Sequence, residues 1–219
     1  TSFDVVNKLK YALRRAYGLK NIKIGLANLA YFFVGIGIIT ILSHINSEVT
    51  ISVAYMALKL YMIFIGVRRI IVQSFFKEIK ELQQALKVDF LSMVAGIIFL
   101  SAFLFYPEVV ISLIFDDSYI EFSTTFVVLG VAAFVSAATS SSGARLLLHN
   151  KDKQFSANFI VGAIVTICSG ICFSYFIADR PSLVVLSCLL GELTISILNI
   201  FSFLIITPSV SGFVSGKDS

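Results

Sequence analysis

The stretch AYMALKLYMIFIGVRR, Ala54 to Arg69, decides the fold class. Its only charge before the closing arginine pair is Lys59, set among Ala, Leu, Met, Ile and Phe. A soluble core almost never buries an unpaired lysine, and a lipid-facing helix tolerates one even less. The rest of the chain says which solvent applies. Of its 219 residues, 58% are hydrophobic and 14% are charged, against roughly 25% charged in an ordinary soluble domain. The chain reads as an all-α integral membrane protein.

Moving outward from Lys59, the apolar residues gather into six runs: Ile22 to Ser43, Val49 to Val72, Val88 to Phe105, Phe122 to Leu148, Phe155 to Ile177, and Ser182 to Ile206. Each is near the ~20 residues that cross ~30 Å of hydrocarbon as a helix. Period-2 alternation is missing from them, which argues against a transmembrane barrel. The expectation is a six-helix transmembrane bundle over 22–206.

The basic residues orient it. Lys8, Lys10, Arg14, Arg15, Lys20 and Lys23 surround the start of the first run, and Arg68, Arg69, Lys77, Lys80 and Lys87 the connection after the second. Arg145, Lys151 and Lys153 follow the fourth, and Lys217 lies in the tail. The three opposite connections hold only Arg180, a ratio of fifteen to one. By the positive-inside rule both termini are cytoplasmic, with the hairpins near Asn46, Asp117 and Asp179 on the outer side. The net charge of +4 then reports topology and calls for no nucleic-acid partner.

Residues 1–21 read as a cytoplasmic basic amphipathic segment and 207–219 as a cytoplasmic tail. The first run is too long for a signal peptide and no small-residue cleavage site follows it, so it is expected to remain in the mature protein. Cys168, Cys172 and Cys188 all fall inside apolar runs, which implies packing residues and no disulfide framework. The i, i+4 pair Cys168 and Cys172 has no His or acid beside it to complete a metal site. Neither His44 nor His149 belongs to an HExxH or GxSxG pattern. The acidic stretch FDDSYIEF, with Asp116, Asp117 and Glu121, has paired carboxylates of the kind used in glycosyl chemistry, but reads first as a solvated boundary. No cofactor or metal is expected.

Two polar stripes are the candidate functional features. Ser52, Lys59, Gly66 and Gln73 recur every seven residues and lie within ~60° of one another on a helix. Cys188, Glu192, Ser196 and Asn199 follow the 4, 4, 3 spacing of one face. Lys59 and Glu192 each sit ten residues from the outer start of their run, ~15 Å deep. At a common depth they either pair across helices or face one aqueous cavity. In SAATSSSGAR, Ser136 to Arg145, hydroxyls cover every helix face, so that helix is not lipid-exposed all round.

The six runs with both ends inside, the outer segment PEVVISLIFDDSYIEF and the basic hairpin LLLHNKDKQ resemble the C-terminal half of a Wzx-type O-antigen flippase. These belong to the multidrug/oligosaccharidyl-lipid/polysaccharide exporter superfamily. Asp116 departs from the Gly that relatives often carry there. The resemblance implies half of a two-bundle alternating-access transporter in a bacterial inner membrane, not an enzyme. It implies a second six-helix half and an undecaprenyl-pyrophosphate-linked oligosaccharide as substrate, moved to the periplasmic leaflet for lipopolysaccharide synthesis. Lys59 would then face the pyrophosphate, with Ser52, Gln73 and Asn199 as polar lining. Arg68, Arg69 and Arg145 would attract the headgroup at the cytoplasmic mouth, and Glu192 would hold a coupling H⁺ or Na⁺ or Lys59 itself. An ion-coupled multidrug-type antiporter and a membrane polysaccharide polymerase are the alternatives.

Overall fold

The computed structural model describes residues 19–177 and 179–206. The segments expected as a basic amphipathic stretch and a tail lie outside these residues, apart from the last turn before Ile22. The elements are α1 (Leu19–Val34), α2 (Gly37–Leu42), α3 (Glu48–Ser74), a 3₁₀ turn (Glu78–Lys80), α4 (Leu82–Phe105), α5 (Pro107–Ile114), a second 3₁₀ turn (Asp117–Phe122), α6 (Ser123–Ala138), α7 (Ser140–Leu148), α8 (Asp152–Phe176) and α9 (Pro181–Ile206).

Five stretches are long and apolar enough to cross a membrane: α3, α4, the run from Asp117 to Leu148, α8, and α9 as far as Ser202. This is a multi-pass helical membrane protein. Their boundaries follow local chemistry. Ser47 caps α3, its Oγ accepting from the Thr50 N–H at 3.3 Å. Prolines start α5 and α9, where the missing N–H costs nothing. Asn150, at φ 57°, ends the α7 hairpin in the left-handed conformation that Asn tolerates better than most residues.

Two of the expected runs are interrupted. The first divides into α1 and α2 at Gly35 and Ile36, where the Ile39 N–H bonds Ile36 O, three residues back, at 3.0 Å. Gly37 is required there, because a Cβ on it would lie 2.6 Å from the Phe32 ring. The pair still runs beside the whole of α8: Ser156 Oγ donates to Lys23 O at 2.6 Å near one end, and Asn46 Nδ2 to Ser174 Oγ at 2.8 Å near the other. The fourth run breaks at Thr139 into α6 and α7.

Small residues bring α8 and α9 into close contact. A Cβ on Gly191 would collide with Thr166 Oγ1 and lie 3.1 Å from Gly162 O, so the backbones themselves form the contact. Elsewhere the interior is aromatic: Phe64, Phe99, Phe103 and Phe126 form a chain of ring contacts 5.1 to 5.7 Å apart. Cys188 is buried as expected, whereas Cys168 and Cys172 are exposed on α8 and do not pack the interior, a correction to the sequence expectation.

The bundle has two chemically distinct ends. Ser47 N–H bonds Asp179 at 3.0 Å, and Glu48 and Ser52 share a pocket with Ser118, Tyr119 and Glu121, so these connections meet at one end. Lys23 meets Lys151 and Lys153, and Ile79 packs with Ala85, Val88, Ala144 and Leu148, at the other. Glu48, Glu108, Asp116, Asp117, Glu121 and Asp179 make the first end acidic, with Arg180 its one described cation. The second carries the remaining described lysines and arginines apart from Lys59.

Candidate functional site

The site begins with how α3 divides its residues. Ala57, Leu58, Tyr61, Phe64 and Ile65 are buried, while Ser52, Lys59, Gly66 and Gln73 are all exposed. A helix turns ~100° per residue, so Lys59 and Tyr61 point ~200° apart. The seven-residue stripe is therefore a surface feature of this bundle. A Cβ added to Gly66 would meet nothing within 4 Å.

The stripe on α9 points the other way. Cys188, Glu192, Ser196 and Asn199 are buried, Glu192 to 2% exposure. The Tyr61 hydroxyl donates to Glu192 Oε1, Thr139 Oγ1 and Ser196 Oγ are 2.8 Å apart, and Asn158 Nδ2 donates to Asn199 Oδ1 at 2.8 Å. Lys59 and Glu192 thus share a helix depth but lie on opposite sides of α3. The carboxylate is answered by a tyrosine and the ammonium faces outward.

Arg68 and Arg69 diverge in the same way. Arg68 turns inward: Nη1 donates to Ser136 O at 2.9 Å and to Ser136 Oγ, and Nη2 reaches Tyr31 Oη at 3.5 Å. The guanidinium and the Glu192 carboxylate lie in one another's field, with Tyr31 and Tyr61 between them. Arg69 is exposed. Both line a cavity of about 650 Å³ toward the basic end, shared by α1, α3, α7 and α8. Gln73 also lines it, as do Asn28 and Tyr31, with Phe155 and Phe159 as an aromatic wall. The Tyr31 ring meets Phe159 edge-on at 5.4 Å, which fixes its hydroxyl beside Arg68.

The structure therefore brings Arg68, Arg69 and Gln73 to one cavity and sets Lys59 further along the open face of α3. Ser52 belongs to a different pocket, of about 370 Å³, at the acidic end. Arg145 corrects the expectation of an open-mouth cation: it is only 8% exposed and lies in the field of Asp89. Asn199 is likewise buried, its Oδ1 accepting from Asn158.

Asp89 is the functional neighbour that sequence reasoning missed. Its carboxylate accepts from Ser141 N at 2.7 Å, Ser141 Oγ at 2.7 Å and Ser140 Oγ at 3.0 Å. An acid from α4 thus satisfies the first turn of α7, where orphan N–H groups and the helix dipole favour negative charge. That contact makes a break at Thr139 possible inside apolar surroundings. It fixes the α7 wall of the cavity, formed by Ser140, Gly143, Ala144 and Leu147. An acid one residue inside the third apolar run was the available signal.

What this arrangement can do is bind an anion at an apolar boundary: two guanidiniums, amide and hydroxyl donors and an aromatic wall surround one space. Among the described residues, no His, Cys, Asp and Glu group is placed to hold a metal ion. No family model, curated protein or solved structure matches this chain, so its residues alone carry the functional argument.

Proposed function

We propose that this chain is one six-helix half of an alternating-access transporter, and that it moves an undecaprenyl-pyrophosphate-linked oligosaccharide across a bacterial inner membrane. The observation that carries this reading is the open face of α3, where Lys59 stands exposed at mid-depth of a membrane-length helix above the cavity of Arg68, Arg69 and Gln73. Lipid cannot accept that lysine cheaply; a second bundle enclosing a wet cavity can. A pyrophosphate leaving water needs fixed cations to replace its lost hydration, and arginine and lysine supply charge-assisted donors.

Supporting this, α1 and α2 run beside α8 from Lys23 to Asn46, the path of a sixth crossing. The positive-inside rule puts the arginine cavity at the cytoplasmic face, where the lipid-linked substrate is assembled, and both termini with it. Buried Glu192, bonded to Tyr61, is the acid available to take a coupling H⁺ or Na⁺. A cationic-drug antiporter would favour acids on the open face, which here carries Lys59 and Arg69. A polymerase would act through the acidic end, where Glu48 and Glu121 line a pocket.

The test uses the whole transporter in a strain lacking its own. Lys59→Ala removes the most costly residue of the span, so membrane abundance should stay level or rise while surface polysaccharide is lost. Lys59→Arg should retain part of the export, since the charge survives in a different donor geometry. Export at the parent level by Lys59→Ala would remove the basis for the proposal.

A further inference from the structure

A second pocket, of about 360 Å³, opens at the basic end where α1 meets the α7–α8 hairpin, and among the described residues it shares no lining with the Arg68 cavity. Lys23, Lys151 and Lys153 line it, together with Asp152 and Gln154. Among the described residues, three ammonium groups against one carboxylate leave a local charge of +2. The nearby run Lys77, Glu78, Lys80, Glu81 is also exposed, but there acids alternate with lysines and cancel them. The two lysine groups differ in balance, not in number alone.

The backbone that presents the three lysines is fixed. Asn150 takes the left-handed turn, Lys151 N–H donates to Leu146 O at 2.8 Å, and Lys151 O accepts from Phe155 N–H at 3.0 Å. Ser156 Oγ holds the Lys23 carbonyl at 2.6 Å, tying α1 to α8 beside the pocket. Below it, Ile22, Leu26 and Leu29 on α1 and Ile160 and Ile164 on α8 are all exposed, while the exposed Asn28 lines the Arg68 cavity instead. Lys151 and Lys153 lie at the start of α8, a helix long and apolar enough to cross a membrane.

We propose that this pocket binds the phosphodiester of an anionic phospholipid, with the acyl chains lying along the exposed aliphatic residues of α1 and α8. Basic pockets between transmembrane helices attract such headgroups, and each juxtamembrane lysine adds to the attraction. A zwitterionic headgroup brings its own ammonium and gains little from three more. The aliphatic surface is what separates a lipid from free phosphate, which has nothing to place against it. This site does not depend on the transport reading above.

The test is native mass spectrometry of the full chain released from micelles containing equal amounts of phosphatidylglycerol and phosphatidylcholine. The parent should retain phosphatidylglycerol preferentially, and the triple variant Lys23→Gln, Lys151→Gln, Lys153→Gln should lose that preference by roughly tenfold or more. Lys77→Gln with Lys80→Gln should leave it intact. Equal loss in both variants would reduce the effect to general basic charge and overturn the site, as would full retention in the triple variant. Inorganic phosphate at millimolar concentration should not displace the lipid; if it does, the pocket is a free-phosphate site and the lipid assignment fails. Should the triple variant not fold, the single exposed change Lys153→Glu tests the same charge, and its conservative counterpart Lys153→Arg should keep the lipid.

Discussion

The outward face of α3 and the outward faces of α4 and α8 belong to helices of similar length and similarly apolar composition, yet they are built for different surroundings. Between Phe90 and Phe105, every exposed residue of α4 is apolar: Phe90, Leu91, Val94, Ile97, Ile98, Leu104 and Phe105. Along α8 from Ala157 to Cys172 the exposed residues are Ala157, Ile160, Val161, Ile164, Cys168 and Cys172. Both are surfaces that hydrocarbon accepts without penalty. The exposed face of α3 instead carries Ser52, Lys59, Gly66, Arg69 and Gln73 among its aliphatics. The overall hydrophobicity of a helix says that it spans; only the distribution of its outward residues says which side of a bundle meets lipid.

Moving a lysine breaks or confirms that contrast most directly. Ile98 on α4 is 65% exposed and Ile63 on α3, one turn from Lys59, is 62% exposed. Accessibility alone predicts equal outcomes for Ile98→Lys and Ile63→Lys. If α4 faces hydrocarbon and α3 a wet or protein-covered space, Ile98→Lys should cost ~3 kcal/mol of insertion, enough to deplete the protein from the membrane, while Ile63→Lys should remain abundant. Quantifying both variants in isolated membranes decides it; matching losses would mean that the two faces meet the same solvent.

A smaller effect probes the inward side of α3. Tyr61→Phe deletes the hydroxyl that donates to Glu192 and leaves a carboxylate at 2% exposure without that bond. An unsatisfied buried polar group costs ~1–3 kcal/mol, more when charged, so Tyr61→Phe should lower thermal stability in detergent. Adding Glu192→Gln should recover part of the loss, because the neutral amide is cheaper to bury. Additive destabilisation in the double variant would show that the hydroxyl does not serve the carboxylate.

Much of this was legible in the sequence, and the part that was not has a common cause. The seven-residue stripe and the 4, 4, 3 stripe are each real faces in the structure. Periodicity cannot give their direction, because a polar stripe looks the same whether it turns toward Tyr61 or away from the bundle. Lys59 and Glu192 consequently looked like partners or like the lining of one cavity, whereas one faces out and the other in. The breaks were hidden for a similar reason. Nothing local to Thr139 ends a helix; the break is stabilised by Asp89, fifty residues earlier, reaching Ser140 and Ser141. The α1–α2 break depends on Phe32 lying against Gly37, which is close in sequence but requires the ring's position. Arg145 looked like a mouth cation because the positive-inside rule counts charges without regard to burial.

The smallest predicted effect lies at the acidic end, outside both faces, where Asp179 joins the α2–α3 connection to the one before α9. Burial acts to raise the pKa of its carboxyl, but the Ser47 side chain, the Ser47 N–H, 3.0 Å away, and the Thr50 hydroxyl together outweigh burial and hold it below the usual carboxylate value. A carboxyl whose folded pKa is depressed contributes fully above its unfolded pKa, and the contribution is lost as pH falls through the folded one. The clamp should therefore be intact at neutral pH and weaken only below about pH 4. Asp179 is exposed, so solvent screening limits the effect to a few tenths of a kcal/mol. Hydrogen exchange at the Ser47 amide can resolve that locally when the parent is compared with Asp179→Asn at each pH, which removes the intrinsic pH dependence of exchange. The parent should be more protected at pH 6, and the difference should shrink as pH falls below about 4. Equal protection at pH 6 would mean that the carboxylate does not hold the connection, and that the Thr50 hydroxyl bond to the Asp179 carbonyl, at 3.4 Å, suffices.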